Sequence, residues 1–505
     1  MTHRTLILVL ALAFQQPNVD AQLKAIRAAV DALESALRPT PARVVVRTAT
    51  ELQAALDAAT SGQTIALAPG EYIGTFLLRA RPLNDFVTIT TDGLTLQNAR
   101  VTSGNGMAIL RSATNTPDVQ TEPGAHHYRF VGINFGPTRN GEDDMVRIGN
   151  SEDPDPAHVP FRLEFDQCYG AGGVNGQRRA IAANGAHIIV QRSRFENIWK
   201  AGQDSQAIAI WSGPGPLFVL DNYLEAASEN FLVGGTPPAS AAQLPADIVV
   251  FENDIVKRKE WKGILGRNFK NLFELKFGKR IRVLNNRLSG NWPQAQSGYA
   301  VLFTVATNVS GLPGCPYCVL EDVLFEFNTI RDVAMCFQIL GSAYSSPSGN
   351  LDGLAIRNNL CAASRTVWGG NGMIASLEGG PKHVMFDRNT LIMEGSANSF
   401  INATLGQSWP PGAPAPVPAV PASGLVVRGN VVHNGSYGVF TPTGANGAGL
   451  AWFGDAVVED NVIIGAPATA KYPASNIRVP TGTAVYDPAT FTILPAFAGH
   501  GKGTE

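Results

Sequence analysis

VLNNRL, at Val283–Leu288, is one of eleven short pieces of this chain in which a polar residue sits among apolar neighbours. The others are GINF, FDQCY, VQRSRF, VLDNYL, VFENDI, FEFNTI, AIRNNL, FDRNTL, VRGNVV and VEDNVI. Aligned on Asn134, Gln167, Ser193, Asn222, Asn253, Asn286, Asn328, Asn358, Asn389, Asn430 and Asn461, they recur at intervals of 33, 26, 29, 31, 33, 42, 30, 31, 41 and 31 residues. Eight of the ten intervals lie near thirty, and the two long ones contain insertions near 305–320 and 403–422. The second insertion carries PPGAPAPVPAVPA at Pro410–Ala422, which cannot join a sheet ladder because proline has no N–H to donate. A β-like period near thirty with no helix between the pieces predicts an all-β, right-handed parallel β-helix of about eleven or more coils. A leucine-rich horseshoe needs a helical or leucine-dense segment in each repeat, and a propeller needs longer blades. The recurring asparagine belongs at a corner between strands. There its side chain can bond the backbone of adjacent coils or take a left-handed conformation.

Working outward, the 505 residues are 45% hydrophobic and only 16% charged, so a large core is within reach and disorder throughout is excluded. Met1–Ala21 has one early base, an apolar run from Leu6 to Phe14 and a small residue at its end; it predicts a signal peptide and a secreted or periplasmic protein. That run is too short to span a bilayer, and no later stretch predicts a membrane span. QLKAIRAAVDALESAL places Leu23, Ile26, Val30, Leu33 and Leu37 on one helical stripe within a 22–50 cap, which would shield the open end of the solenoid. A second helix is expected in ELQAALDAA with Thr50 as its cap, the β-helix over 51–465, and an extension or cap over 466–505. Cys168, Cys315, Cys318, Cys336 and Cys361 are too scattered for a disulfide scaffold, although CPYC at Cys315–Cys318 can bridge.

The opening ELQAALDAATSGQTIALAPGEY is similar to the start of many pectate-lyase-like β-helix proteins. KFGKRIRVLNN, Lys276–Asn286, resembles the pectate lyase segment in which Arg-Phe-Gly precedes a strand ending in paired asparagines, with Lys276 where the arginine would be. SENFLVGG at Ser228, NLFELK, NW at Asn291, AQSGYAVLF at Ala295, LEDVLF at Leu320 and WGGNG at Trp368 resemble a group of bacterial secreted β-helix proteins of unassigned activity. The resemblance spans about Glu51 to Ile464. It implies the fold, and for the pectate lyases it implies an arginine base with acidic ligands for Ca2+.

Between Phe251 and Gly290 eleven bases face four acids, an excess of seven positive charges that leaves nine negative on the rest of the chain. Such segregation predicts a local field for an anionic partner. An acidic polysaccharide fits an exported protein; nucleic acid does not, since the body of the chain is negative. In NLFELKFGKR the alternation sends Phe273, Leu275 and Phe277 inward and Glu274 and Lys276 outward, while Arg280 and Arg282 share a face of the next strand. β-Elimination of a uronate needs its carboxylate neutralised and its C5 proton removed, so Lys276, Glu274, Arg280 and Glu229 are the catalytic candidates. Arg282, Lys262, Arg267, Trp261 and Trp292 are the binding candidates, the tryptophans as platforms for pyranose rings. Ca2+ is the one cofactor considered.

Hydrolysis would instead need two carboxyls astride the bond, from Asp143 and Asp144, Glu225 and Glu229, or Glu274. Asp143 and Asp144 resemble the paired aspartates of polygalacturonases, but the Gly-His-Gly and Arg-Ile-Lys of that family are absent. His187 and His383 suit coil corners, and adjacent His126 and His127 would point to opposite faces. The expectation is a monomer that acts as a polysaccharide lyase, with a glycoside hydrolase and a non-catalytic glycan-binding or structural protein as the alternatives.

Overall fold

The computed structural model describes residues 42–306, 315–343, 348–405 and 421–501. The expected signal peptide, the helix over Gln22–Leu37 and most of the proline-rich insertion lie outside the described residues. Three all-parallel sheets run the length of the molecule. Sheet A has 14 strands, from Arg43–Val46 to Val457–Glu459; sheet B has 14, from Glu71–Ile73 to Ile477–Val479; sheet C has 12, from Phe76–Leu78 to Val439–Phe440. Each coil supplies one strand to A, B and C in turn. Thus Gly278–Leu284, Arg287–Asn291 and Tyr299–Thr304 make one coil, and Leu320–Glu326 opens the next. This is a right-handed parallel β-helix. Sheet A begins at Arg43, ahead of the expected boundary at residue 51, and sheet B continues past residue 465.

Register is locked by stacking of like on like. In sheet A, Ile281 and Val283 pair with Ile248 and Val250 below and with Val323 and Phe325 above, all inward and buried. Phe130 on Phe165 and Phe231 on Phe273 stack at centroid separations of 5.3 and 5.2 Å. A one-residue slip would turn each of these side chains to solvent, so the hydrophobic alternation itself fixes the pairing.

At the A-to-B corner the two roles open to the asparagine are split between consecutive residues. Asp221, Glu252, Asn285, Asn358, Arg388 and Asp460 take positive φ. The residue after each faces inward as a rung: Asn222, Asn253, Asn286, Asn359, Asn389 and Asn461, with Asn328 and Asn430 at the same place in their coils. Each rung's carbonyl oxygen accepts from the backbone N–H of the rung before it, 2.8 to 3.0 Å away. The true rung in AIRNNL is therefore Asn359, not Asn358, and Gln167 likewise occupies the left-handed position ahead of Cys168.

The helix Ala49–Asp57 sends Leu52 and Leu56 into the core. Its N-cap is Thr48, two residues earlier than the expected Thr50: the Thr48 hydroxyl accepts from Glu51 N–H at 3.1 Å, while Glu51 Oε2 accepts from Arg47 N–H, just ahead of the cap, at 2.6 Å. Cys315 and Cys318 form the short disulfide the sequence allowed. A second one, Cys336–Cys361, ties sheet C to sheet B inside the core. Among the described residues no helix is long and apolar enough to cross a membrane.

Candidate active site

Strand Phe273–Leu275 lies in sheet C, with Phe273 and Leu275 in the core and Glu274 on the outer face. Glu274 is nonetheless buried: Asn271 Nδ2 donates to Oε2 at 2.9 Å, Thr304 Oγ1 donates to Oε1 at 3.0 Å, and Lys276 Nζ pairs with Oε1 at 3.2 Å. Lys276 follows the strand and lies over Gly234 of the coil below. A Cβ on Gly234 would sit 2.5 Å from Lys276 Cβ, and its φ of +136° disfavours any side chain. Glycine is required there to seat the lysine.

One coil back, Glu229 precedes strand Phe231–Val233 on the same face. Gln206 Nε2 donates to its Oε2 at 2.8 Å, and Lys270 Nζ lies 3.3 Å from its Oε1 while also binding Asp204. Burial, and then the neighbouring Glu274 carboxylate, push the Glu229 acid above the ordinary glutamate range. Burial works against the Lys270 ammonium, but Glu229 and Asp204 outweigh it and hold the group above the ordinary lysine range. The carboxylates are closed off, with side-chain exposures of 4% for Glu229 and 1% for Glu274, whereas Lys270 and Lys276 retain 19% and 15%. Asn271 Oδ1, beside Glu274, is buried with no hydrogen-bond partner.

The remaining expected residues do not join this cluster. Arg280 and Arg282 are on sheet A, bound to Asp247 at 2.7 Å and Asp322 at 2.9 Å. Lys262 donates to the Val367 carbonyl and lies 5.1 Å from the Trp368 centroid. Arg267 stacks 3.8 Å from the Trp199 centroid. Trp261 and Trp292 are buried, separated by Phe269 in an aromatic column at the B-to-C corner, and show no face to a sugar. The excess of bases is likewise dispersed. Arg258, Lys259 and Lys279 pair with Glu225, Asp332 and Glu321 outside the segment, as Lys270, Arg280 and Arg282 do with Asp204, Asp247 and Asp322, so most of the excess expected from the sequence is offset by neighbouring coils. Asp143 and Asp144 are bound by Arg147, and Asp144 also by Arg179 at 2.7 Å.

Gln206, Lys270 and Asn271 belong to the site although none was singled out beforehand. Asp144, Arg179, Gln206 and Glu229 follow one another at separations of 35, 27 and 23 residues. The coil period applied to sheet C is the signal that finds Gln206; Lys270 and Asn271 lie in the loop ahead of strand Phe273–Leu275, and nothing in their local sequence marks them.

The chain matches no protein-family model and no curated protein. Among solved structures it is similar to the PL6 family alginate lyase AlyGC, with a TM-score of 0.56 and 12% identity over 92% of this chain and 57% of that one. A mutant of the same enzyme gives 0.50 and 14% over the same shares. A mannuronic acid specific polysaccharide family 6 lyase from human gut microbiota gives 0.48 and 9% over 87% of this chain and 91% of that one. The chain spans little more than half the length of the first of these enzymes, and the likeness is one of fold.

Proposed function

We propose that this protein is a secreted polysaccharide lyase that cleaves an acidic polysaccharide by β-elimination on the outer face of sheet C, with Lys276 as the base. The observation that carries this reading is the pairing of Lys276 with Glu274 beside Lys270 with Glu229, two buried carboxylates and two ammoniums that reach solvent in adjacent coils. Coils ~4.8 Å apart let pendant groups from both meet one sugar unit. With one ammonium proton handed to Glu274 Oε1, 3.2 Å away, Lys276 Nζ takes the C5 proton of a uronate; the electron pair becomes the C4–C5 double bond and expels the glycosidic oxygen at C4, which leaves with a proton from solvent. Lys270 stands to offset the negative charge that grows on the uronate carboxylate in the transition state.

Glu229, Glu274 and the unpartnered Oδ1 of Asn271 are hard oxygen donors of the kind calcium takes. Among the described residues no cluster of three acidic, histidine or cysteine ligands forms. Both oxygens of each carboxylate are already taken, by Gln206 and Lys270 at Glu229 and by Asn271, Thr304 and Lys276 at Glu274, and both carboxylates are closed to solvent, so these residues do not fit calcium and neutralisation of the uronate falls to Lys270. Two disulfides suit an oxidising compartment, as expected of a secreted protein.

The mature chain is incubated with alginate, polygalacturonate and neutral glycans, with calcium or with chelator, following unsaturated-product absorbance and reducing ends together. Both signals rise on an acidic substrate, and Lys276→Ala loses turnover while retaining binding. Reducing ends alone would make the protein a hydrolase and move the chemistry to Glu229 and Glu274. Binding without product would make the face a recognition surface.

A further inference from the structure

On the same outer face of sheet C, three coils towards the N-terminus from Lys276, lies a cleft of about 420 Å³. That is within the size range of small-ligand sites. Three arginines line it, and two are spent on protein partners: Arg147 on Asp143 and Asp144, and Arg179 on Asp144 and Gln206. Arg178, half-buried, bonds no carboxylate among the described residues. The acids are accounted for as well, since Asp153 pairs with His158 at 2.8 Å and Glu152 is exposed at the rim. Trp211 also lines the cleft, with its indole 4.9 Å from the Arg179 guanidinium.

We propose that this cleft is a remote subsite for an acidic sugar unit of the same polysaccharide chain that is cut at Lys276, an inference that rests on the lyase reading above. Arg178 supplies a free two-pronged donor for a uronate carboxylate, while Trp211, with Arg179 over its ring and the core against it, walls the cleft. The floor is continuous with the catalytic cluster: Asp144 to Arg179 at 2.7 Å, Arg179 to Gln206 at 2.8 Å and Gln206 to Glu229 at 2.8 Å. Buried side chains linked in this way keep cleft and cluster in fixed register. The two are three coil spacings apart, ~14 Å, so a chain must be several sugars long to occupy both.

The test uses the full chain with oligomannuronate, oligoguluronate and oligogalacturonate of graded length. The wild type is expected to prefer oligomers long enough to span both places. Arg178→Ala is expected to cut kcat/KM on those long oligomers about tenfold, the value of one charge-assisted hydrogen bond, and so to erase the length preference. Retention of that preference in Arg178→Ala, or its absence in the wild type, overturns the proposal. If no oligomer is cleaved, the lyase reading fails on its own, and the cleft is judged by binding. Tryptophan fluorescence titrated with long oligouronates should show about tenfold weaker affinity in Arg178→Ala; equal affinity overturns the subsite.

Discussion

At the scale of single residues the molecule depends on side chains that complete the backbone of a neighbouring coil. Asn328 is typical: its amide donates to Val283 O at 2.9 Å, Glu326 O at 3.0 Å and Asn359 Oδ1 at 3.1 Å, and its oxygen accepts from Asn286 N–H and Nδ2 at 2.9 Å. Asn328→Ala strands the buried Asn286 N–H and two carbonyls, each worth 1–3 kcal/mol, for a loss of ~3 kcal/mol or more. Asn328→Ser should lose less, because Ser193 already serves as a rung by accepting from Cys168 N–H at 3.0 Å. Chemical denaturation of both variants measures the difference, and equal stability of Ala and wild type would remove the ladder from the energetics. A second residue-scale effect is acid sensitivity. His127 Nδ1 lies 2.6 Å from His126 Nδ1, and its Nε2 lies 2.8 Å from Arg162 Nη1, so Nε2 must be unprotonated to accept from the arginine. Burial, then the charges of His126 and Arg162, depress His127 from 6.5 to about 4. A depressed histidine makes the folded state bind fewer protons than the unfolded one, so stability is full above about 6.5 and falls as pH drops towards 4. His127→Gln should flatten that part of a melting-temperature profile against pH; an unchanged slope would assign the acid loss elsewhere.

At the scale of the element, a strand of two to seven residues holds only because the strand above and the strand below hold it. Cross-links between sheets therefore act on whole coils. Cys336–Cys361 closes 25 residues between sheets C and B, and on the chain-entropy account its loss costs ~3–4 kcal/mol. Cys336→Ala/Cys361→Ala should lower the unfolding free energy by that amount, and adding reductant should destabilise the wild type by more than the variant, which keeps only Cys315–Cys318. This bridge was not legible in the sequence, because its half-cystines sit on different sheets and nothing in their spacing says that the coil brings them together. The period itself was legible, since every rung residue has the same job and the asparagine repeats with the coil. The exact rung was not legible where two asparagines adjoin, as at Asn358 and Asn359, because only φ distinguishes the left-handed residue from the inward one. Glu274 and Lys276 were readable from strict alternation beside three inward apolar residues. Arg280 and Arg282 misled for the opposite reason: alternation gives the face of a strand but not which of three sheets the strand joins.

At the scale of the whole molecule, the β-helix sorts its outer surface into faces with separate duties. Sheet C carries the carboxylate and lysine cluster, sheet A carries surface ion pairs, and the outer face of sheet B at its C-terminal end is apolar. Ile392, Val431, Val462 and Ile464 form a cluster there with Val479 and Val485, and Tyr486, Phe491, Ile493 and Phe497 of the C-terminal segment pack against it. After strand Ile477–Val479 the chain turns back over this face, and Gly501 N–H reaches the Gly429 carbonyl at 2.6 Å. The extension thus covers sheet B, and its Tyr472 hydroxyl also accepts from Val439 N–H in the last strand of sheet C. A solenoid needs such a cover, since an uncovered end offers unpaired strand edges and apolar surface to a second copy. Ending the chain after Gly465 would expose strand Val462–Ile464 as an edge together with the buried side chains of Ile392 and Val431. The truncated protein is expected to self-associate in size-exclusion chromatography and to melt earlier than the full-length protein, which is expected to elute as a monomer. A truncated chain that stays monomeric with an unchanged melting temperature would show that the stack is closed by its other contacts, and that the extension serves some purpose other than capping.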